Sequence, residues 1–183
     1  MTDKIHYSCF DSPFGLIFVA KTIKGVCLVN FSRISEAKFL SILKTRFQKG
    51  ATRDDNKLKR IRNELFDYFN GHRVNFKALL DLSIGTKFQR KVWNKVSEIP
   101  YGEVQTYKWI AKSIGNVHAV MAVGNAVGKN PVPPIVPCHR VIRSDGCLGG
   151  YSSGISLKKK LLKLESNSSP FDSRLYHNVI LRL

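Results

Sequence analysis

The segment TYKWIAKSIGNVHAVMAVGNAVG, residues 106–128, decides the fold. Thr106 is a helix cap, and Trp109, Ile110 and Ile114 follow at helical spacing until Gly115-Asn116 breaks the run. Residues 117–127 supply a second helix, ended by Gly128. Two short helices joined by a tight glycine-containing turn predict a helix-turn-helix. The second helix is small-sided (Ala119, Ala122, Gly124, Ala126, Gly128), and no acidic residue occurs between Glu103 and Asp145. Small side chains let a helix backbone approach a partner closely, and missing carboxylates spare it repulsion by phosphate. A tight helix–helix contact accounts for the small residues equally well.

Working outward, Thr86 caps a helix through Phe88, Val92, Trp93 and Val96 that stops before Pro100, and residues 72–85 read as an extended connector. The first third is different. Apolar segments at 5–10, 16–20 and 26–31, separated by turns at 11–15 and Lys24-Gly25, predict three strands. Ser35 caps a helix carrying Phe39, Leu40, Leu43 and Phe47 and ending at Gly50. Residues 51–56 read as a loop, and Leu58, Ile61, Leu65, Phe66 and Phe69 define a second helix stopped by Asn70-Gly71. The expectation is an α/β domain over 1–80 with a small antiparallel sheet, a mainly α domain over 81–165, and a tail over 166–183 with no functional reading.

Downstream of the helix pair, the prolines of NPVPP (130–134) predict a stiff extended rail leading into IVPCHRVI, residues 135–142. A turn at 144–146 and the glycine-rich GGYSSG, 149–154, precede a final helix from about Ser156. That helix carries Leu157, Leu161, Leu162 and Leu164 on one side, with Lys158, Lys159, Lys160 and Lys163 distributed around it, and Glu165 closes it.

The bulk composition narrows the classes. With 183 residues, 43% of them hydrophobic, the chain can bury a real core. No apolar run approaches the ~18 residues of a membrane span, and the N-terminus lacks the apolar core of a signal peptide, so a soluble intracellular protein without membrane contact is expected. Four cysteines without CxxC spacing are expected to be reduced, and His6 with Cys9 alone is too few ligands for a metal. Thirty Lys+Arg against thirteen Asp+Glu give a formal charge of +17. Excess cations on this scale favour a polyanion, and nucleic acid is the leading partner.

Cys138 is the candidate nucleophile. A thiolate, not a thiol, attacks, and an ordinary cysteine is mostly protonated at neutral pH. His139 and Arg140 bring a base and a positive charge next door. On an extended chain adjacent residues point to opposite faces, so His139 reaches Cys138 only through a bend or a bridging water. The histidine needs an orienting carboxylate, for which Glu103, Asp145 and Glu165 are all open.

PCHRVI, preceded by GNAVGKNPVP and followed by GCLGGYSSG and a helix ending in LLKLE, closely resembles the O6-alkylguanine-DNA alkyltransferases. The resemblance runs back through TKFQRKVW, IPYGEVQTY and IAKSIGN, covering about residues 80–165, and the DSPFG turn fits the family's first domain. It implies a ribonuclease H-like first domain, a monomer, and double-stranded DNA containing O6-alkylguanine as partner, in the cytoplasm of a prokaryote or the nucleus of a eukaryote. It also implies a cofactor-free, single-use reaction in which the base is flipped out of the stack and its alkyl group passes to cysteine. Carried over, Cys138 is the acceptor, His139 its base through a water, and Glu165 the carboxylate behind that histidine. Asn130 braces the turn, and Tyr107 rotates the 3′ phosphate and donates to the leaving purine. Val141, Tyr151, Ser152 and Ser153 form the base pocket and its lid. Tyr107, Lys108, Asn116, Met121, Ala122, Gly124, Arg140 and Ser144 face DNA.

Two departures stand out. Met121 occupies the place of the family's usual arginine, which fills the gap left by the flipped base; an apolar wedge or a core methionine are the alternatives. Ser153 stands where many relatives have glycine. The main rival function is a lesion binder that flips the base without chemistry, which typically carries tryptophan at the cysteine position. A transcriptional regulator and a cysteine hydrolase are further rivals.

Overall fold

The computed structural model describes residues 4–31 and 34–166, which form two compact units divided between Ile84 and Gly85. The tail at 167–183 lies outside the described residues. In unit 1, β1 (Ile5–Ser12), β2 (Gly15–Thr22), β3 (Gly25–Asn30) and β4 (Ala51–Arg53) form one sheet in the order β3-β2-β1-β4. β1 and β2 pair antiparallel from His6↔Lys21 to Ser12↔Gly15, with Pro13-Phe14 as the turn. The expected wholly antiparallel sheet and the loop at 51–56 are both corrected here. β4 pairs parallel with β1, Ile5↔Ala51 to Tyr7↔Arg53, so the sheet is mixed. Three residues on an edge, two of them exposed, carry no period-two apolar signal.

Each face of the sheet takes one helix. α1 (Glu36–Phe47) buries Phe39 and Leu43 against Ile5, Tyr7, Phe18 and Leu28, with Phe18 and Phe39 stacked at 4.8 Å. Ser35 accepts from the Lys38 amide as its cap, and the helix ends at Gln48 in the left-handed region, two residues short of Gly50. α2 (Lys59–Phe69) sets Phe69 against Phe14 and Phe31, at 5.1 and 5.5 Å. The segment after α2 stays with this unit beyond residue 80. Leu79 and Asp81 bond the Val26 backbone, and Thr22 Oγ1 donates to the buried Asp81 carboxylate at 2.6 Å.

Unit 2 contains α3 (Lys87–Ser97), β5 (Gln105–Thr106), α4 (Tyr107–Ser113), α5 (Val120–Gly128), β6 (Val141–Ile142) and α6 (Ile155–Ser166). Thr86 and Gln89 make a reciprocal capping box at the start of α3, and Thr106 caps α4 through the Trp109 amide. α5 starts at Val120, three residues later than the apolar pattern suggests. The short strands β5 and β6 pair parallel and bring the start of α4 beside the PCHRVI segment. Trp93 is the largest buried side chain, and its Nε1 donates to the Ala126 carbonyl at 2.8 Å, tying α3 to α5. No helix among the described residues is long and apolar enough to cross a membrane.

A Cβ at Gly85 would stand 2.3 Å from the Trp93 ring, which is buried and hydrogen-bonded and therefore unable to yield. Gly85→Ala is expected to destabilise unit 2 by about 1–3 kcal/mol through overpacking. Gly50→Ala, with nothing within 4 Å, should stay within about 0.5 kcal/mol. Urea unfolding of the two variants checks the contrast.

Candidate active site

The 130–142 segment is not the expected extended rail. Val136 N–H bonds back to the Val132 carbonyl at 3.1 Å, Cys138 N–H to Val136 at 2.8 Å, and Cys138–Arg140 form a single 3-10 turn. Consecutive turns replace the rail because a proline-rich chain that cannot donate at every position still needs its remaining amides satisfied when buried. The turn lets Cys138, His139 and Arg140 all point into the interior, where they are 4%, 0% and 7% exposed.

Asn130 braces this turn at both ends. Its Nδ2 donates to the Val136 carbonyl at 2.7 Å and to Cys138 Sγ at 3.0 Å, while its Oδ1 accepts from the Val132 amide. Burial pushes the Cys138 thiol above its ordinary value; donation from Asn130 and the charge of Lys158 oppose that without overcoming it. The resting group is a thiol with thiolate-stabilising donors already in place.

Glu165, from α6, lies at the centre of the charge network. His139 Nε2 sits 2.8 Å from Oε1, Arg140 donates to Oε2 through Nε and to Oε1 through Nη2, both at 2.8 Å, and the Gly102 amide donates at 3.2 Å. Burial by itself would raise the Glu165 carboxyl, but His139 and then Arg140 outweigh it and hold the group far below the carboxylate range. An ionised carboxylate only accepts, so the proton of neutral His139 resides on Nε2 and Nδ1 is the basic nitrogen. Burial lowers the His139 value below 6.5, and Glu165 opposes this without reversing it. At neutral pH the histidine is uncharged and able to accept a proton.

Arg140 is corrected from a DNA contact to a buried clamp. Besides Glu165 it holds the Ile99 carbonyl at 2.6 Å and lies 5.5 Å from the Tyr101 ring centre. Lys158, one of the four lysines distributed around α6, is fully buried. Its Nζ donates to the Val141 carbonyl at 2.5 Å and to the Leu148 carbonyl, and burial brings its ammonium down to about 8 against the pull of Cys138. Leucine spacing alone does not single it out. Lys158, Leu161, Leu162 and Glu165 form the i, i+3, i+4, i+7 stripe that is buried. A lysine opening such a stripe is the sign that could have identified it.

A cavity of about 810 Å³ opens beside the thiol, walled by α4, α5 and the 143–152 loop. Of the residues read as base pocket or DNA-facing, Tyr107, Met121, Gly124, Ser144, Tyr151 and Ser152 lie on its wall. Val141 does not; it is fully buried in β6, and Ser153 is likewise absent from the wall. Cys138 sits behind the wall, beside the two phenols. Burial first and the neighbouring Cys138 second raise both the Tyr107 and the Tyr151 hydroxyl, Tyr151 well above the usual phenol range. Gly149, at φ +70°, lies so close to Tyr107 that a Cβ would stand 2.9 Å from the phenol oxygen. Met121 is 84% exposed, which removes the core-packing alternative. Lys108, Asn116 and Ala122 are exposed as well. Among the described residues, no group of three His, Cys, Asp or Glu side chains is placed to hold a metal ion.

The chain is similar to known proteins in sequence and fold. Residues 87–167 match the DNA binding domain of 6-O-methylguanine DNA methyltransferase, and residues 5–82 its ribonuclease-like domain. A methylated-DNA--protein-cysteine methyltransferase of Methanosarcina acetivorans is 40% identical over 163 residues, 89% of this chain and 99% of the relative. The inducible enzyme of that name from Bacillus subtilis is 40% identical over 83% of this chain and 85% of its own. The crystal structure of Mycobacterium tuberculosis O6-methylguanine methyltransferase superposes with a TM-score of 0.76 at 38% identity, over 94% of this chain and 99% of that one. The crystal structure of Mycobacterium tuberculosis OGT in complex with DNA gives 0.77 at 37%, covering 93% and 99%.

Because the folded-state value of Glu165 lies below its unfolded one, its contribution to stability is complete above about 4.3 and is lost as pH falls through and below that value. Glu165→Gln leaves the Arg140 charge buried without its counter-ion, and is expected to cost about 3–5 kcal/mol at neutral pH. It should also flatten the acid limb of the stability profile. Urea unfolding across a pH series measures both.

Proposed function

The chain belongs to the 6-O-methylguanine DNA methyltransferase family, and on that premise we propose that Cys138 accepts the alkyl group carried on O6 of guanine in duplex DNA. The observation that carries this reading is the buried relay Arg140–Glu165–His139 next to a thiol braced by Asn130. The thiol proton passes to His139 Nδ1 by way of a water. Glu165 and Arg140 keep the resulting imidazolium oriented, and Lys158 and the Asn130 amide favour the thiolate. Sulfur then attacks the alkyl carbon. The S–C bond forms as the C–O6 bond breaks, and the electron pair remains on the purine. Tyr107 donates toward that purine as its charge grows. In net terms, alkyl group and proton exchange places between sulfur and base. The thioether has no leaving group to restore the thiol, so each molecule acts once.

An O6 atom inside a stacked pair is out of reach, so the base enters the cavity flipped, beneath Tyr151 and Ser152. In this reading α4 and α5 are the helix-turn-helix, unit 1 is ribonuclease H-like, and the protein acts as a monomer. The small-sided α5 lets its backbone approach the duplex, with Met121, Ala122 and Gly124 facing the groove and Lys108, Asn116 and Ser144 the backbone. Met121 enters the stack as an uncharged wedge in place of the family's arginine. A lesion binder that flips without chemistry needs neither the cysteine nor its relay.

The reading is tested by intact-mass measurement after incubation with an O6-methylguanine duplex. A gain of one methylene's mass on Cys138, with stoichiometric loss of activity, is expected. Because His139 is neutral at neutral pH, the rate should hold down to about 6.5 and fall only below it. Duplex binding without mass gain would instead identify a lesion binder, and ester or amide turnover a hydrolase. In the same assay Met121→Arg should tighten binding to alkylated duplex while leaving reaction with free O6-benzylguanine unchanged. Duplex repair by Met121→Ala at the parental rate would remove the wedge.

A further inference from the structure

Unit 1 carries a strongly basic cleft that alkyl transfer does not use. A cavity of about 240 Å³ lies between the tip of the β2–β3 hairpin, the start of α2 and the strand-like segment at 77–79. Five cations line it: Lys21, Lys24, Lys57, Arg60 and Lys77, and no carboxylate belongs to its wall. Two of the five have carboxylate partners, Lys57 with Asp54 at 3.6 Å and Arg60 with Glu64 at 3.0 Å. Among the described residues, none lies within ion-pair distance of Lys21, Lys24 or Lys77. The walls are fixed to each other rather than free to splay, because the Val26 amide donates to the Leu79 carbonyl and the Asp81 amide to the Val26 carbonyl, both at 2.8 Å. Two apolar side chains, Ile23 and Leu79, stand 82% and 79% exposed at the same cleft.

Like charges gathered within one Debye length repel, and a fold that keeps them together gains when an anion joins them. The first turn of α2 contains no acidic residue, and the buried Asp81, which interacts with the charge of Lys24, lies outside the wall. A second copy of the chain is a poor occupant, since each carries +17. The polyanion that this family's proteins meet is DNA, whose phosphates suit the cations and whose deoxyribose faces suit Ile23 and Leu79. We propose that this cleft is a second DNA-backbone site, carried by unit 1 alone. The proposal rests on DNA as the partner and not on the chemistry at Cys138. It predicts a sequence-independent contribution to affinity that leaves the alkyl-transfer step untouched.

The test compares two triple variants of the full chain with the parent. Lys24→Gln/Arg60→Gln/Lys77→Gln alters exposed cleft residues, and Lys38→Gln/Lys44→Gln/Arg46→Gln removes the same charge from exposed positions on α1. Binding to undamaged duplex is measured across a salt series, with the rate of reaction with free O6-benzylguanine as the check on folding and on the Cys138 site. The cleft variant should lose about 2 to 3 from the slope of log affinity against log salt, at about 0.9 per phosphate contact, and the α1 variant markedly less. The free-base rate should match the parent in both. Equal losses in the two variants would reduce the effect to net charge and overturn the site. An unchanged slope in the cleft variant would overturn it as well, and if that variant instead loses binding to phosphatidylserine vesicles, the cleft belongs to a membrane surface.

Discussion

Four donors converge on one buried carboxylate, and the geometry of unit 2 around Cys138 depends on that convergence. Glu165 reaches across from α6 to take hydrogen bonds from His139, twice from Arg140, and from the Gly102 amide. Three separate stretches of chain, around 99–102, around 138–140 and α6, are thereby held in one register. A buried ion pair of this kind contributes little net stability compared with a well-packed apolar equivalent, because desolvating both charges is costly. Its value here is positional. It fixes the tautomer and direction of His139, so that Nδ1 is the nitrogen left basic.

The same burial creates a conflict that the site resolves locally. A thiol shut away from water resists ionisation, and Cys138 is pushed up accordingly. Asn130 donates to the sulfur and Lys158 adds positive charge nearby, and both act fully only once a thiolate forms. Groups already aimed at developing charge need no reorganisation during the reaction. Lys158 is itself held against its own burial by the Val141 and Leu148 carbonyls, so the loop that walls the cavity and the charge beside the thiol are one structural feature.

Much of the fold was legible in local patterns. The β1–β2 hairpin, the caps at Ser35, Thr86 and Thr106, and the helix pair at 106–128 all follow from turn residues, caps and periodicity. Edge strand β4 was not legible, since three residues that add to β1 carry no alternation. The 130–142 segment was misread because prolines signal extended chain but cannot say how the remaining amides are satisfied. At the site, Cys138 and His139 stood out by adjacency. Glu165 did not, because a separation of 26 residues between a carboxylate and its histidine leaves no local trace, and only the family resemblance singled it out from Glu103 and Asp145. Arg140 entered the DNA-facing set only through the family resemblance, and local sequence gives no sign of its buried counter-ion, which lies 25 residues away.

The protonation state of one ring, His139, decides whether the buried relay can take a proton from the thiol. Nitrogen-15 NMR of the histidine-labelled protein at neutral pH reads the charge and tautomer of His139. A neutral imidazole protonated at Nε2, converted to a charged one only below the ordinary histidine range, is the predicted result. An imidazolium already present at neutral pH, or a neutral ring protonated at Nδ1, would contradict the assignment of His139 as the base held ready by Glu165.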